Sequence, residues 1–560
     1  MSLDSIIAAD VLILGAGNAG LRASIAAAEK GAKTVIISKS PFPGGSSVVS
    51  GGLIEASFGE GDCEELHFRE TVESGAYLCD QRLTQILVSE IKERVFDLED
   101  YGVVFLREGP SKFKLVSNGG TSVPRSLTSG RNDRVQRCLY DKARSLGVTL
   151  YAEMMPLKVF FDDARRPVGV AAYDIQRGES FFFQAGAVVM ASGGCAGLFK
   201  RRATPRNTAG DGFGLALDLG ARLVDMEFVQ FIPLSFVYGF IEGMTLGEGD
   251  SYGDKVRLRN ANGERYMERY SPQHLEHSTR DVVARANYTE IQAGRGTPHG
   301  AILIDATESD PKKAYFQPHH MVHRYRLIVD FYGKAKADLE EPLEAAPSAL
   351  YSCGGIQINE RCETNVPGLF ACGEVIGNVH GANRLGGNSL ADVQVFGKRA
   401  GEQAALFARD IALKSPDWRE VDGEFLRLTD LCGAQGTVTP RSIKRELQQL
   451  MWDHMGIVRD ASLLREGLHK IENLKDKASQ MGKIGSARRY NFALLEAVEV
   501  PAMLSVAEVM LRCGLFREES RGNHFRFDFP ESRDSWQCHT IAEKRGGNIL
   551  LSKKEIELIH

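Results

Sequence analysis

An apolar run from Val11 to Leu14 stops at a glycine turn. An Ala-rich amphipathic stretch follows to Lys30, and a second apolar run spans Thr34 to Ser38. This pattern predicts strand, turn, helix, strand. "AVVMASGGCAGLF" and "TNVPGLFACGEV" repeat the theme of an apolar strand closing on glycines, and "NTAGDGFGLALDLGA" reads as a helix start. Such alternation runs from Ser5 to about Pro233 and resumes from about Pro347 to Arg409. It predicts an α/β, doubly wound, Rossmann-like domain over 1–233 and 347–409, interrupted by an insertion over 234–346. Helical periodicity in "SIKRELQQLMWDHM" and "ASLLREGLHKIENL" predicts a three-helix bundle over 415–514, with a small irregular tail domain over 515–560.

Composition narrows the class. At 560 residues the chain exceeds what one core usually serves, so two to four domains are expected. A formal charge of −5 offers nothing to nucleic acid or to an anionic membrane. No apolar run is long enough to span a bilayer, and the N-terminus has neither a basic start nor a cleavage site. The ten cysteines form no CxxC or CxxCH. A disulfide framework, an iron–sulfur cluster or covalent haem within this chain is therefore not expected, and a cytoplasmic location is.

Candidate chemistry begins at the first turn. Gly15, Gly17 and Gly20 have GxGxxG spacing within a full strand–turn–helix–strand unit. Gly15 permits the turn, Gly17 lets a pyrophosphate approach the backbone, and Gly20 packs helix on strand, with the helix N-terminus facing the anion. The second strand ends Ser38-Lys39, without the acid that usually binds a ribose hydroxyl, so nicotinamide binding in the usual manner is disfavoured. Ser192, Gly193 and Gly194 suit a second backbone approach to a cofactor. Thr208, Gly210, Asp211 and Gly212 suit phosphate or a polyol, and Gly373-Glu374 brings a carboxylate to a polyol hydroxyl. Taken singly, each of these three is equally well a structural turn.

Taken together and in this order, they resemble the flavoprotein subunit family of fumarate reductase, succinate dehydrogenase and L-aspartate oxidase, over nearly the whole chain. "FREESRGNHFRFDFPESRDSWQCH" is similar to the family's final-domain signature, and "NGERYMERYSP" and "TRDVVARANYTEI" to its capping segments. The resemblance implies FAD, and an α+β capping domain in the insertion. Membrane-bound relatives carry a flavin-linked histidine shortly before a Gly pair. Here Gly51-Gly52 is that pair, and the histidine's place falls at or beside Gly45, ahead of Ser46. No histidine stands between Met1 and Asp62, so non-covalent FAD is expected.

The resemblance also makes "HGANRLGGNSL" the segment where flavin meets substrate. Asn388, Ser389 and Leu390 then start a helix whose positive end faces the flavin's pyrimidine edge. Arg384 offers a planar fork to a substrate carboxylate. Arg280 takes the family's place for the residue that delivers a proton to the substrate carbon as hydride arrives from the flavin. Arginine is a poor acid, so that role needs a carboxylate relay. Glu248 lies near the family's relay glutamate. A plain ion pair of Arg280 with Asp281 or Glu276 is the competing reading. Two family histidines that hold a substrate carboxylate are replaced, one by Ile232 in "FVQFIP" and one by Leu350 in "ALYSCGG". A carboxylate buried at that end without partners would cost several kcal/mol. The substrate expected is therefore a monocarboxylate, ester or thioester, not a plain dicarboxylate, unless His319, His320, His323 or His380 supplies the missing donors. No metal is expected at the "PHHMVH" cluster, which has no acid or Cys at ligand spacing.

The resemblance implies an FAD-dependent oxidoreductase acting on a CH–CH bond, moving hydride between flavin N5 and a carbon beside a carboxylate or carbonyl. Its partners would be a small carboxylate or acyl substrate and an iron–sulfur electron-transfer subunit, with any membrane contact only through a partner. Two alternatives remain. One is a free-standing enzyme resembling L-aspartate oxidase. The other is a flavin-bearing electron-transfer subunit without a substrate of its own.

Overall fold

The computed structural model describes residues 3–559 except 118, 131, 240, 248, 253–254, 311–317 and 483; for 249–250 and 318–324 it describes the backbone alone. Its largest sheet has seven strands. Ser5–Leu14 lies between Thr34–Ser38 and Glu179–Met190, parallel to both. Thr149–Ala152 and Leu369–Ala371 continue the parallel set, while Pro167–Asp174 and Met154–Phe161 add an antiparallel flank. The first strand starts at Ser5, ahead of the run at Val11, because the long Glu179–Met190 strand pairs with it from Phe181 onward. Its first half is only partly buried, which hides it from a reading based on apolar runs. The helices Asn18–Glu29 and Asn388–Arg409 cross in close contact. A Cβ at Gly401 would sit 2.0 Å from the Ala23 carbonyl oxygen, so only glycine fits there.

A second sheet, antiparallel and five-stranded, runs in the order Thr245–Gly247, Val229–Ser235, Leu343–Ser352, Ile302–Asp305, Arg257–Arg259. It has its own core, including Leu234, Phe236, Leu258, Ile302 and Leu343. The chain enters and leaves this region along two neighbouring strands, Val229–Ser235 and Leu343–Ser352.

Pro440–His454, Ala461–Ala478 and Phe492–Phe516 pack on one another as a three-helix bundle. A fourth helix, Trp418–Leu431, lays Val421 and Phe425 on Phe160 and Phe182 of the large sheet and packs Leu428 near Leu494 and Leu495 at the start of the last bundle helix. The tail departs from the irregular structure expected. Cys538–Arg545 and Asn548–Glu555 form a hairpin around Gly546 and Gly547, both at positive φ. The hairpin pairs with Leu223–Val224 in a four-stranded sheet, so the tail is stitched to the first domain's chain. A buried charge cluster reinforces the joint. Arg517 donates to Glu227, to Glu519 and to the carbonyls of Trp536 and Cys538.

Candidate active site

Every parallel strand of the large sheet that reaches the site does so at its C-terminal end, where an α/β sheet opens its crevice. Leu14 hands on to Gly15, Met190 to Ser192 and Gly193, and Ala371 to Gly373 and Glu374. These ends bound a cavity of about 610 Å³ that continues to Arg280 and Arg384. Gly15, Gly17, Ser38, Lys39, Gly45, Ser46, Gly51 and Gly52 line its first part. Ser192, Gly193, Asp211, Glu374, Ser389 and Leu390 line the next.

The glycines show why the wall is backbone. Gly15, at φ 122°, lies so close to the Ala191 carbonyl that a Cβ would reach it at 2.2 Å. Beside Gly45 and Gly193, both at positive φ, a Cβ would meet nothing within 4 Å, so open space faces those backbones. Gly20 and Gly373 do their work behind the wall. A Cβ on Gly20 would meet the Gly15 carbonyl at 1.9 Å, and one on Gly373 would meet Ala19 at 2.6 Å. Asn388 also turns away from the cavity. Its Oδ1 accepts from His67 Nε2 at 2.8 Å and its Nδ2 donates to Thr71 at 3.0 Å, which pins the start of the long helix.

Charge is placed with equal care. Lys39 bridges Asp211 at 3.0 Å and Glu499. Burial opposes its charge, but those two carboxylates hold its pKa above the usual lysine range. The Glu374 carboxylate accepts from the Ser352 N–H at 3.1 Å, and burial pushes its pKa up to about 7. Glu374 is therefore a poorly solvated acceptor facing the cavity, suited to a ligand hydroxyl.

At the far end Arg384, 6 % exposed, stacks its guanidinium 4.5 Å from the Tyr351 ring centre. Its Nη2 donates to Gln230 Oε1 at 2.9 Å, and its Nη1 reaches Ser389 Oγ at 3.3 Å. Arg280, the first residue of the helix Arg280–Glu290, donates from Nη1 to the same Gln230 oxygen at 3.1 Å. Burial and then the neighbouring Arg280 push the Arg384 pKa down to about 10, which leaves it cationic at neutral pH. Two guanidiniums thus converge on one neutral oxygen. A carboxylate would match the geometry a guanidinium fork prefers. Of the two competing partners for Arg280, Asp281 and Glu276, Glu276 is engaged by Arg265 at 2.7 Å.

Ile232 and Leu350 line the cavity beside these arginines, on the two neighbouring strands Val229–Ser235 and Leu343–Ser352. Thr245, Leu246 and Ser251 complete that end. His380 is not at the wall. It lies behind Tyr351, 2 % exposed, with Nε2 3.0 Å from Asp392. It therefore backs the pocket from behind that ring and the helix Asn388–Arg409. Glu248 and the side chains of His319, His320 and His323 lie outside the described residues. Sequence reasoning missed Gln230 and Tyr351, although both stand inside the segments quoted for Ile232 and Leu350.

The residues present fit a flavin dinucleotide: a glycine-walled groove at a helix N-terminus, a buried carboxylate for a hydroxyl, and a second helix start at Ser389. Comparison with known proteins agrees. The FAD binding domain family matches residues 10–390, and the fumarate reductase flavoprotein C-term family matches residues 444–559. A fumarate reductase (CoM/CoB) chain of Methanothermobacter marburgensis is 36% identical over 544 residues, 96% of this chain and 97% of that one. The succinate dehydrogenase flavoprotein subunit of Rickettsia bellii is 30% identical over 98% of this chain and 95% of its own length. A solved Escherichia coli quinol fumarate reductase superposes with a TM-score of 0.92 at 30% identity, covering 99% of this chain and 98% of that one.

Proposed function

The chain belongs to the fumarate reductase and succinate dehydrogenase flavoprotein family and is an FAD-dependent oxidoreductase acting on CH–CH bonds; from that premise we propose that its substrate is a carboxylate gripped by Arg384 and Arg280, with an uncharged far end against Ile232 and Leu350. FAD, when bound, supplies the two-electron exchange. The glycines at 15, 17, 45, 51, 52 and 193, with Ser38, Lys39, Ser46, Ser192, Asp211, Glu374, Ser389 and Leu390, are proposed to hold it. Gly20, Gly373 and Asn388 would act one layer behind. The attachment is non-covalent in this reading, since Gly45 stands where a linking imidazole would be needed.

The chain's own residues do the rest. Arg384 fixes the carboxylate, and Arg280 hands a proton to the substrate carbon in the reducing direction, with Glu248 proposed as its relay. Closure of the inserted region 234–346 over 1–233 and 347–409 would exclude water. Regions 415–514 and 515–560 complete the proposed domain division. The observation that carries the reading is the single Gln230 oxygen shared by two guanidiniums, next to two aliphatic side chains.

An iron–sulfur subunit is proposed as electron partner, in the cytoplasm, with any membrane contact through a partner. Among the described residues no helix is long and apolar enough to cross a membrane. Fumarate itself is the second reading, supported by the names of the relatives and by the Thr245 and Ser251 hydroxyls in the wall. The test is anaerobic. The reduced protein should be reoxidised by at least one unsaturated monocarboxylate, amide or thioester, and a panel with no reoxidation contradicts the proposal.

A further inference from the structure

Three side-chain amides link the C-terminal tail to the two arginines. Asn523 Nδ2 donates to Asn383 Oδ1 at 3.1 Å and to the Ala382 carbonyl at 3.0 Å. Gln230 Nε2 donates to the same Asn383 Oδ1 at 2.8 Å and to the Arg384 carbonyl at 2.8 Å. Gln230 Oε1 then accepts from Arg384 and Arg280. All three amides are buried, Gln230 at 0% exposed and the two asparagines at 6% each.

An amide's oxygen and nitrogen differ little in shape, so its polarity is set by its partners. Here both ends of the line are groups that cannot reverse. Guanidiniums only donate, and backbone carbonyls only accept. We infer that Asn523 is a positioning residue for the two-arginine clamp: its donor fixes Asn383, Asn383 helps fix Gln230, and Gln230 thereby shows Arg280 and Arg384 an oxygen instead of an amino group. This inference rests on the reading of those arginines as a carboxylate clamp. Were the line reversed, an N–H₂ would face two cations. The guanidiniums would separate, and the fork would lose the spacing that grips a carboxylate. The tail then contributes to substrate binding without touching substrate.

The decisive variant is Asn523→Asp in the FAD-loaded full chain. An ionised carboxyl has no donor for Asn383 Oδ1, whereas a protonated one has an O–H in nearly the same place. Around that position stand the Cys353 thiol at 3.8 Å, which burial pushes up to about 12, and His524, which burial with Arg459 and Arg517 holds well below the usual histidine range. Arg384, Glu374 and Arg280 act electrostatically on that thiol, and Arg521 is paired with Glu519. The thiol and the imidazole keep one protonation state between about pH 5.5 and 8, whereas burial brings Glu374 to about 7, in parent and variant alike. Burial lifts the introduced carboxyl from its ordinary value of about 4 toward this window.

Crotonate affinity is measured by calorimetry at both ends of that range, where the probe stays ionised. Variant affinity is taken relative to the parent's at each pH, so that titration common to both cancels. Asn523→Asp should bind about tenfold or more weakly at pH 8 and recover toward the parent at pH 5.5, consistent with the cost of a mismatched buried polar group. A variant-to-parent affinity ratio that does not change with pH, whether equal to one or lower, overturns the inference. A parent that takes up no crotonate overturns the clamp itself, and this inference with it. Should the variant fail to fold, the near-isosteric Asn523→Leu carries the test. A loss of about threefold or more supports the inference, and a smaller one overturns it.

Discussion

At the scale of single residues, the site depends on how two like charges are held together. Gln230 does this with one neutral oxygen that both guanidiniums share. Gln230→Glu would satisfy both guanidiniums from within. Crotonate affinity should fall by about 100-fold, because a bound anion would compete with a fixed one and meet its repulsion; calorimetry showing affinity within about threefold of the parent contradicts this. The candidate cofactor glycines were legible in the sequence, since GxGxxG spacing carries its own physical meaning, whereas the two arginines stand out only through the family resemblance. Gln230, Asn383 and Asn523 were not. Their role is a polarity shared among residues 230, 383 and 523, and no spacing along the chain encodes it.

At the scale of elements, the helix Asn388–Arg409 matters most, because its start forms part of the cavity wall through Ser389 and Leu390. His67 holds that start by donating to Asn388. Burial drives the His67 pKa down to about 3, so the imidazole is neutral in the folded protein. The sign follows from linkage. A depressed folded pKa gives stability that is complete above the unfolded value of about 6.5 and is lost as pH falls toward 3. Between pH 7 and pH 5 this group should remove about 2 kcal/mol. Urea unfolding at both pH values should show His67→Gln, which keeps an N–H donor but cannot titrate, losing less over that interval than the parent; equal losses would remove His67 from the account. Elements were read well from the sequence where apolar runs were strong, as at Thr34–Ser38. The tail hairpin was missed because its outer strand, Asn548–Glu555, is largely exposed and reads as polar.

At the scale of the whole molecule, the tail and the first domain are one mechanical unit. The Cys538–Arg545 strand pairs with Leu223–Val224, and Arg517 sits 0% exposed among Glu227, Asp225 and Glu519. Removing one partner of such a buried cluster leaves charges uncompensated. Arg517→Met should cost about 3–5 kcal/mol and expose the hairpin to proteolysis before the large sheet unfolds. A variant as stable and as protease-resistant as the parent would show that the cluster does not hold the joint. The same joint brings Asn523 to Asn383, so loosening it should also weaken carboxylate binding. The inserted sheet is entered and left along two neighbouring strands, and the sequence boundaries at 233/234 and 346/347 fall inside those strands, because alternation along a strand carries no mark of the sheet it joins.

The central claim is that Ile232 and Leu350 give the pocket an apolar wall beside the two arginines that charge it. It is tested most directly by the ratio of kcat/KM for crotonate to that for fumarate, measured anaerobically with the reduced protein and again with Ile232→His. The account predicts a ratio above one in the parent and a drop of about tenfold or more in the variant, as an imidazole gives the second carboxylate a partner. A parent that already favours fumarate, or a ratio that Ile232→His leaves unchanged, would contradict it.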